Sequence, residues 1–404
     1  MGIGLTPDSL IPKRYNMNFT QELQQELDAL RIKGNLRHLP RLEHDERYVT
    51  TPDGRRMLNL SSNDYLGLAA DTDLRREFLE TLTPETFLPT SSSSRLLTGN
   101  FRVYDELEDE LARLFGTEAA LVFNCGYHAN TGILPAVADA QTLILADKLV
   151  HASLIDGIRL AAPARCIRYR HNDLAQLERL VGEHNSQYHR LIIVTESVFS
   201  MDGDRTDLRR LVTLKHRYDN VLLYVDEAHA FGVFGPTGLG CAEEEGCTTN
   251  IDFLVGTFGK ACASAGAYVA CSRTVRNYLV NRMRPFIFTT ALPPVSVAWT
   301  LFVVRRLAAM DDRRHHVQQL GERLRTRLAE QGYSTPSVSQ IVPMIVGPSA
   351  DTVLRAEALQ RHGFYALPVR PPTVPEDTSR IRFSLTAALT EDEINAIPLT
   401  EEND

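Results

Sequence analysis

The chain has 404 residues, 43% of them apolar and 23% charged, and a formal net charge of −8. That length suits one large core plus a smaller one, and the composition is that of an ordinary soluble globular protein. The acidic balance gives no support for a nucleic-acid or membrane-surface partner, which would favour a basic face, and no apolar run reaches the ~18–20 residues of a membrane span.

In chain order, residues 1–13 lack a basic stretch followed by an apolar one, so no secretory signal is expected there. Residues 1–60 read as an N-terminal helix and arm. Within them Arg31, Lys33, Arg37 and Arg41 cluster. They form either a solvated helix face or a landing site for an anionic substrate group. The run at residues 90–94 is rich in small hydroxyl side chains and suits a linker or a binding loop.

Residues 61–294 alternate short apolar runs with amphipathic segments. Strands are predicted at 119–123, 142–146, 166–169, 191–195, 221–225 and 253–257, and helices between them, as at 174–183 and 208–218. Most of the strands are continuous apolar runs, the pattern of strands buried on both faces of a mostly parallel sheet. Repeated β–α units predict a doubly wound α/β layer structure. After Pro293-Pro294 the pattern changes, and residues 295–404 read as a smaller α+β domain. It holds an apolar helix at 295–310, an amphipathic one at 315–331, a strand at 344–346, a helix at 352–362 and a strand at 380–385. The six cysteines (Cys125, Cys166, Cys241, Cys247, Cys262, Cys271) form no CxxC pair. They read as reduced thiols, with neither a disulfide frame nor a metal site, so a cytoplasmic protein is expected.

Polar residues stand just after several predicted strands: Gly126-Tyr127, Asp147, Glu196, Asp226 and Gly259-Lys260. In open α/β sheets the ligand crevice lies outside the carboxyl ends of the strands. Asp226 is either a helix cap or a functional carboxylate. Lys260, at a Gly-rich strand exit, is a candidate Schiff-base lysine, because burial frees the amine as a nucleophile. The two make sense together around pyridoxal phosphate, with the lysine on the aldehyde and the carboxylate at the pyridine nitrogen. His229 could contact the phenolic oxygen, or serve as a helix-start histidine. His151 could stack on the ring, or be structural. Gly126 and Tyr127, where a strand turns into a helix, could offer N–H groups to the phosphate, with Ser200 and Thr257 adding hydroxyls.

The ordered motifs resemble the α-oxoamine synthase family of fold-type-I pyridoxal-phosphate enzymes over residues 59–388. They include Ser62-Asn63-Asp64-Tyr65-Leu66-Gly67-Leu68, Ser94-Arg95-Leu96-Leu97-Thr98-Gly99-Asn100, Thr195-Glu196-Ser197-Val198-Phe199-Ser200-Met201-Asp202-Gly203-Asp204, Asp226-Glu227-Ala228-His229, Thr257-Phe258-Gly259-Lys260 and Phe288-Thr289-Thr290-Ala291-Leu292. The resemblance implies a large domain with a mostly parallel sheet flanked by helices, and a smaller α+β domain. It implies that Lys260 forms the Schiff base, Asp226 pairs with the pyridine nitrogen, His229 contacts the phenolic oxygen and His151 stacks on the ring. By the same resemblance Gly126, Tyr127, Ser200 and Thr257 hold the phosphate. Thr289 and Thr290 reach it from a second subunit, which implies a homodimer with shared sites. Arg382, with Asn63 nearby, binds the amino-acid carboxylate, and Arg37 and Thr373 contact the acyl substrate.

The stretches Val369-Arg370-Pro371-Pro372-Thr373-Val374-Pro375 and Ser379-Arg380-Ile381-Arg382-Phe383 resemble the family member that joins L-alanine to a pimeloyl thioester in biotin synthesis. Glycine C-acetyltransferase, 5-aminolevulinate synthase and serine palmitoyltransferase types share the central motifs. A non-catalytic subunit of the same fold is the more distant alternative, and it should have lost the lysine. The sequence departs from the family at Thr90-Ser91-Ser92-Ser93-Ser94-Arg95, where glycines are usual, at Tyr104 in place of a common histidine, and at Ala261-Cys262-Ala263-Ser264-Ala265. These departures bear on the acyl substrate more than on the cofactor chemistry.

Overall fold

The structure, a computed structural model, describes residues 18–400, and the reading of residues 1–13 lies outside them. Helix α1 (Phe19–Ile32) opens on a capping box between Asn18 and Gln21 and buries none of its residues in this chain. A small sheet follows, made of β1 (Glu43–Asp45), β2 (Tyr48–Thr50) and β3 (Arg56–Asn59), and β12 (Phe364–Tyr365) adds to it parallel to β3. Helices α2 (Thr72–Glu80) and α3 (Arg102–Phe115) then lead into the main sheet.

That sheet has seven strands: β4 (Ala119–Phe123), β5 (Thr142–Asp147), β6 (Arg165–Tyr169), β7 (Arg190–Glu196), β8 (Val221–Asp226), β9 (Phe253–Thr257) and β10 (Ala267–Cys271). Their order is β4-β10-β9-β8-β7-β5-β6. The pairs among β5 to β9 are parallel. All six predicted strands are present, each end within one residue of its expected place. The sequence reading has no counterpart of β10, a short apolar run that enters antiparallel between β4 and β9. Alternate residues of each strand reach separate cores: Leu143 and Leu145 pack on one side of the sheet, Ile144 and Ala146 on the other. Both faces are dry, so the strands carry no polar alternation.

Helices α4 (Gly126–Val137) and α5 (Ala152–Ala161) cover one face through Ile133, Leu134, Leu154 and Ile158. Helices α6 (Leu174–His184) and α7 (Leu208–Lys215) cover the other through Leu174, Leu177, Leu208 and Leu211. Asp173 and Asp207 cap these last two, each accepting a backbone N–H at 2.9 Å. The predicted helix at 295–310 divides into Pro294–Val304 and a short turn at Leu307–Ala309. Its apolar run ends at Arg305-Arg306, and the Arg306 guanidinium folds back over the Phe302 ring at 3.5 Å.

A three-stranded sheet of β11 (Ile341–Gly347), β14 (Ser379–Ser384) and β13 (Pro368–Val369) carries Arg382 on its central strand, β14. Among the described residues no helix is long and apolar enough to cross a membrane. In the main sheet, Glu196 pairs in register with Asp226, and Asp226 with Val255. The carboxyl ends of β7, β8 and β9 therefore stand side by side, and the candidate site is built on that edge.

Candidate active site

Asp226 closes β8 with its carboxylate buried. Oδ1 accepts the Ala228 N–H at 2.9 Å, and Oδ2 accepts Asn130 Nδ2 at 2.8 Å. Both donors are neutral groups, and the carboxylate also caps the following turn. Asn130, on α4, is itself fixed: its Oδ1 accepts from the Tyr224 hydroxyl at 2.6 Å, and its Nδ2 reaches Ser153 Oγ at 2.9 Å. Ser153 in turn meets His151 Nδ1 at 2.8 Å. One chain of polar contacts thus runs from the buried Tyr224, Asn130, Asp226 and Ser153 out to His151.

His151 forms the N-cap of α5, and its backbone N–H donates to Glu196. Burial lowers the imidazole pKa; the Asp226 charge opposes this and the Lys260 charge adds to it. Burial also drives the Glu196 carboxyl well above its ordinary range, with the Asp226 charge next in effect.

Lys260 follows β9, and its Nζ lies 2.9 Å from His229 Nε2. Burial lowers the amine to about 8, while Asp226 and Glu196 hold it from falling further. His229 is buried, and burial together with the charges of Lys260 and Arg382 keeps its ring neutral. An ammonium has donors only, so Nε2 accepts and Nδ1 carries the proton in this arrangement. Nδ1 lies 2.6 Å from the Tyr65 hydroxyl, which donates to Asn63 Oδ1 at 3.1 Å.

The same Asn63 oxygen accepts Arg382 Nη1 at 3.2 Å. Arg382 also donates to Ser384 Oγ, to the Ser200 carbonyl and, at 3.5 Å, to the Tyr65 hydroxyl. Every one of these acceptors is a neutral oxygen. A half-buried guanidinium so placed keeps its charge available for a carboxylate. A continuous string of contacts therefore runs from Lys260 through His229 and Tyr65 to Asn63 and Arg382.

Gly126 opens α4 beside Thr257: a Cβ on Gly126 would come within 3.8 Å of the threonine side chain. The first N–H groups of a helix have no partner within it, so α4 presents donors at this place. Thr257 Oγ1 donates to the Gly266 carbonyl at 2.9 Å and accepts the Gly259 N–H at 3.3 Å. The Tyr127 hydroxyl turns away to Asp156 on α5. The Ser200 carbonyl accepts from Arg382 Nε. Thr289 and Thr290 contact Asn124, just past β4, at 3.5 and 2.8 Å, and make no contact with the Lys260 string. Arg37 and Thr373 meet each other at 3.3 Å. Arg37 also lines a cleft of about 910 Å³ with Arg41, Arg55 and Arg370.

Sequence reasoning assigned no site role to Tyr65 or Asn130. Tyr65 lay within a quoted motif, but nothing local signals that its hydroxyl meets a histidine 164 residues away.

The residues present fit pyridoxal phosphate. A buried carboxylate whose hydrogen-bond donors are neutral, a buried amine of lowered pKa and a helix N-terminus all meet at one strand edge. The family described as "Aminotransferase class I and II" matches residues 55–397, and the chain belongs to it. Within that family it is a pyridoxal-phosphate-dependent acyltransferase of the α-oxoamine synthase type. It is 56% identical over 377 residues, 93% of this chain and 97% of the relative, to a protein of Glaesserella parasuis serovar 5 provisionally named 8-amino-7-oxononanoate synthase. A serine palmitoyltransferase of S. paucimobilis, solved with pyridoxal phosphate and myriocin bound, is similar at TM-score 0.85 and 29% identity, covering 94% of this chain and 96% of its own. The 8-amino-7-oxononanoate synthase of Francisella tularensis is similar at TM-score 0.72 and 27% identity, covering 84% and 95%.

Proposed function

We propose that the chain condenses L-alanine with a pimeloyl thioester to give 8-amino-7-oxononanoate, CO2 and the free thiol, a step of biotin synthesis. The string from Lys260 to Arg382 carries this reading, because it sets a carboxylate-binding fork and a buried base in one connected site. The choice of alanine and pimeloyl is supported by the names of the relatives that match along nearly the whole chain. The likeness to serine palmitoyltransferase favours a second reading, in which the same site takes serine and a longer acyl chain.

In this reading Arg382 grips the amino-acid carboxylate, and Asn63 and Ser384 hold the guanidinium in plane. Lys260 Nζ takes the α-proton and later returns one. Pyridoxal phosphate, when bound, supplies the electron sink for the carbanion and for the loss of CO2. Asp226 faces the ring nitrogen, its position fixed by Asn130 and Ala228. His151 would stack on the ring of the bound cofactor, and His229 would contact its phenolic oxygen. Gly126, Tyr127, Ser200 and Thr257 would hold its phosphate. Arg37 and Thr373 meet the far end of the acyl chain in the arginine-lined cleft. Product analysis with alanine, glycine and serine against several acyl thioesters tests the reading. Preferred turnover of serine with a long acyl chain would transfer it to the second.

The enzyme works as a homodimer in this account, with Thr289 and Thr290 reaching the phosphate of the partner's site. Support comes from α1, which leaves Phe19, Leu23, Leu27 and Leu30 exposed along its length. A monomer mass in sedimentation would remove this part. A cytoplasmic setting is supported by six cysteines that are all unpaired.

Capture of the cofactor by the apoenzyme requires the free amine of Lys260. Burial lowers that amine to about 8, so the capture rate should climb as pH rises through about 8 and level off above it. An ordinary lysine would keep climbing toward ~10.4. Rapid-mixing absorbance across this range separates the two, and a midpoint near the ordinary value would show that the amine is not desolvated.

A further inference from the structure

His171 lies outside the string described above, yet it is held on both sides. Its Nδ1 is 2.9 Å from Asp147 Oδ1 at the end of β5, and its Nε2 is 2.8 Å from Asp204 Oδ2. The Asp147 side chain is wholly buried. Only a cation with two opposed N–H donors can satisfy two carboxylates so placed, and an imidazolium is such a group. Burial works against the charge, but the hydrogen bonds to Asp147 and Asp204 outweigh it and raise the ring to about 10. Asn172 adds to the grip: its Nδ2 donates to Asp204 Oδ2 at 2.7 Å and to the Arg205 carbonyl at 3.1 Å.

Asp204 belongs to the loop at residues 197–206. The loop is closed on itself, with the Phe199 N–H on the Asp204 carbonyl at 3.0 Å and the Gly203 N–H on the Phe199 carbonyl at 2.9 Å. The buried Phe199 ring meets the His171 ring edge-on, centroids 4.4 Å apart. The next residue, Ser200, gives its carbonyl to Arg382 Nε. Asp202 holds Arg380 on the same strand, β14. The Gly203 carbonyl accepts the Val338 N–H at 3.1 Å. Gly203 itself, at φ +71°, sits so close to β11 that a Cβ would lie 2.1 Å from the Ile341 carbonyl. The loop is thus a bracket between the edge of the main sheet and the sheet that bears Arg382.

We propose that His171 is a positioning residue for amino-acid binding: by clamping Asp204 and Phe199 it sets the loop whose Ser200 carbonyl orients the Arg382 fork. This rests on the assignment of Arg382 to the amino-acid carboxylate. A guanidinium binds a carboxylate two-pronged only in one plane, and a misplacement of about 1 Å in such a group costs up to ~100-fold. Removing the imidazolium also leaves the buried Asp147 and the half-buried Asp204 carboxylates without the cation between them, which drives the loop away from its place.

The test uses holoenzyme of H171Q, D204N and the double variant H171Q/D204N. Alanine affinity is read from the cofactor's absorbance, alongside the KM of the thioester and the melting temperature. H171Q should weaken alanine roughly tenfold or more and leave the thioester KM within about twofold. The double variant, which removes the charge repulsion and lets two amides bridge, should recover most of that affinity. If H171Q does not fold, D204N alone breaks the clamp from the loop side and should weaken alanine in the same selective way. A lower melting temperature with unchanged alanine affinity overturns the proposal, as does an equal loss for both substrates. If the wild-type spectrum responds to no amino acid, the functional reading fails instead, and the two failures remain distinct.

Discussion

Lys260→Ala should abolish steady turnover while leaving the fold in place. The side chain lies at a strand exit beside other buried groups, and its Nζ meets His229 Nε2 at 2.9 Å. Truncation therefore removes one amine and leaves one imidazole nitrogen unpaired. That is a modest structural cost, of the order of ~1–3 kcal/mol for a buried polar group. The chemical cost is far larger. No other lysine is among the residues of the string, and His229, held neutral by burial and neighbouring cations, is fixed between Tyr65 and the lost amine. Positioned acid–base groups are worth roughly 10²–10⁴-fold, and Lys260 both takes the α-proton and anchors the cofactor, so the two losses compound. The check is a turnover assay over hours, with circular dichroism to show the fold intact. Appreciable steady turnover by the variant would remove the central assignment.

The ease with which this site was read follows from where its residues lie. Asp226 stands one step, and Lys260 three, past a predicted continuous apolar strand, and such strands are the clearest signal a doubly wound sheet leaves in sequence. Once the strand ends are known, the residues that follow them must share an edge. Tyr65 and Asn130 obey no such rule. Tyr65 sits in a loop and meets His229 across 164 residues, and Asn130 reaches Asp226 from the helix in front of it across 96. Their contacts are products of tertiary packing. Strand β10 escaped for a different reason. It breaks the β–α alternation, following β9 with no helix between and entering antiparallel between β4 and β9. Ser200 lies in a motif of the family, and the contact of its carbonyl with Arg382 is likewise a tertiary one that no local pattern signals. A motif marks a loop as near the site without fixing which end of the ligand the loop meets.

Arg382→Ala should weaken amino-acid binding by about ten- to a hundredfold, the worth of a charge-assisted pair at ~1.5–3 kcal/mol. The KM of the thioester should change little, because Arg37 and Thr373 meet each other elsewhere and make no contact with Arg382. The substitution frees the Ser200 carbonyl and Asn63 Oδ1 from their guanidinium donor, but both retain solvent or hydroxyl partners: Asn63 keeps Tyr65 at 3.1 Å and Ser384 at 3.3 Å. The loss should therefore fall on binding more than on folding. Arg382→Lys should restore little, since an ammonium cannot hold the Ser200 carbonyl, Asn63 and a carboxylate in one plane. The decisive quantity is the ratio of the two KM values in wild type and variant. An amino-acid KM unchanged by Arg382→Ala would detach the arginine from the carboxylate, and with it the direction in which the string from Lys260 is read.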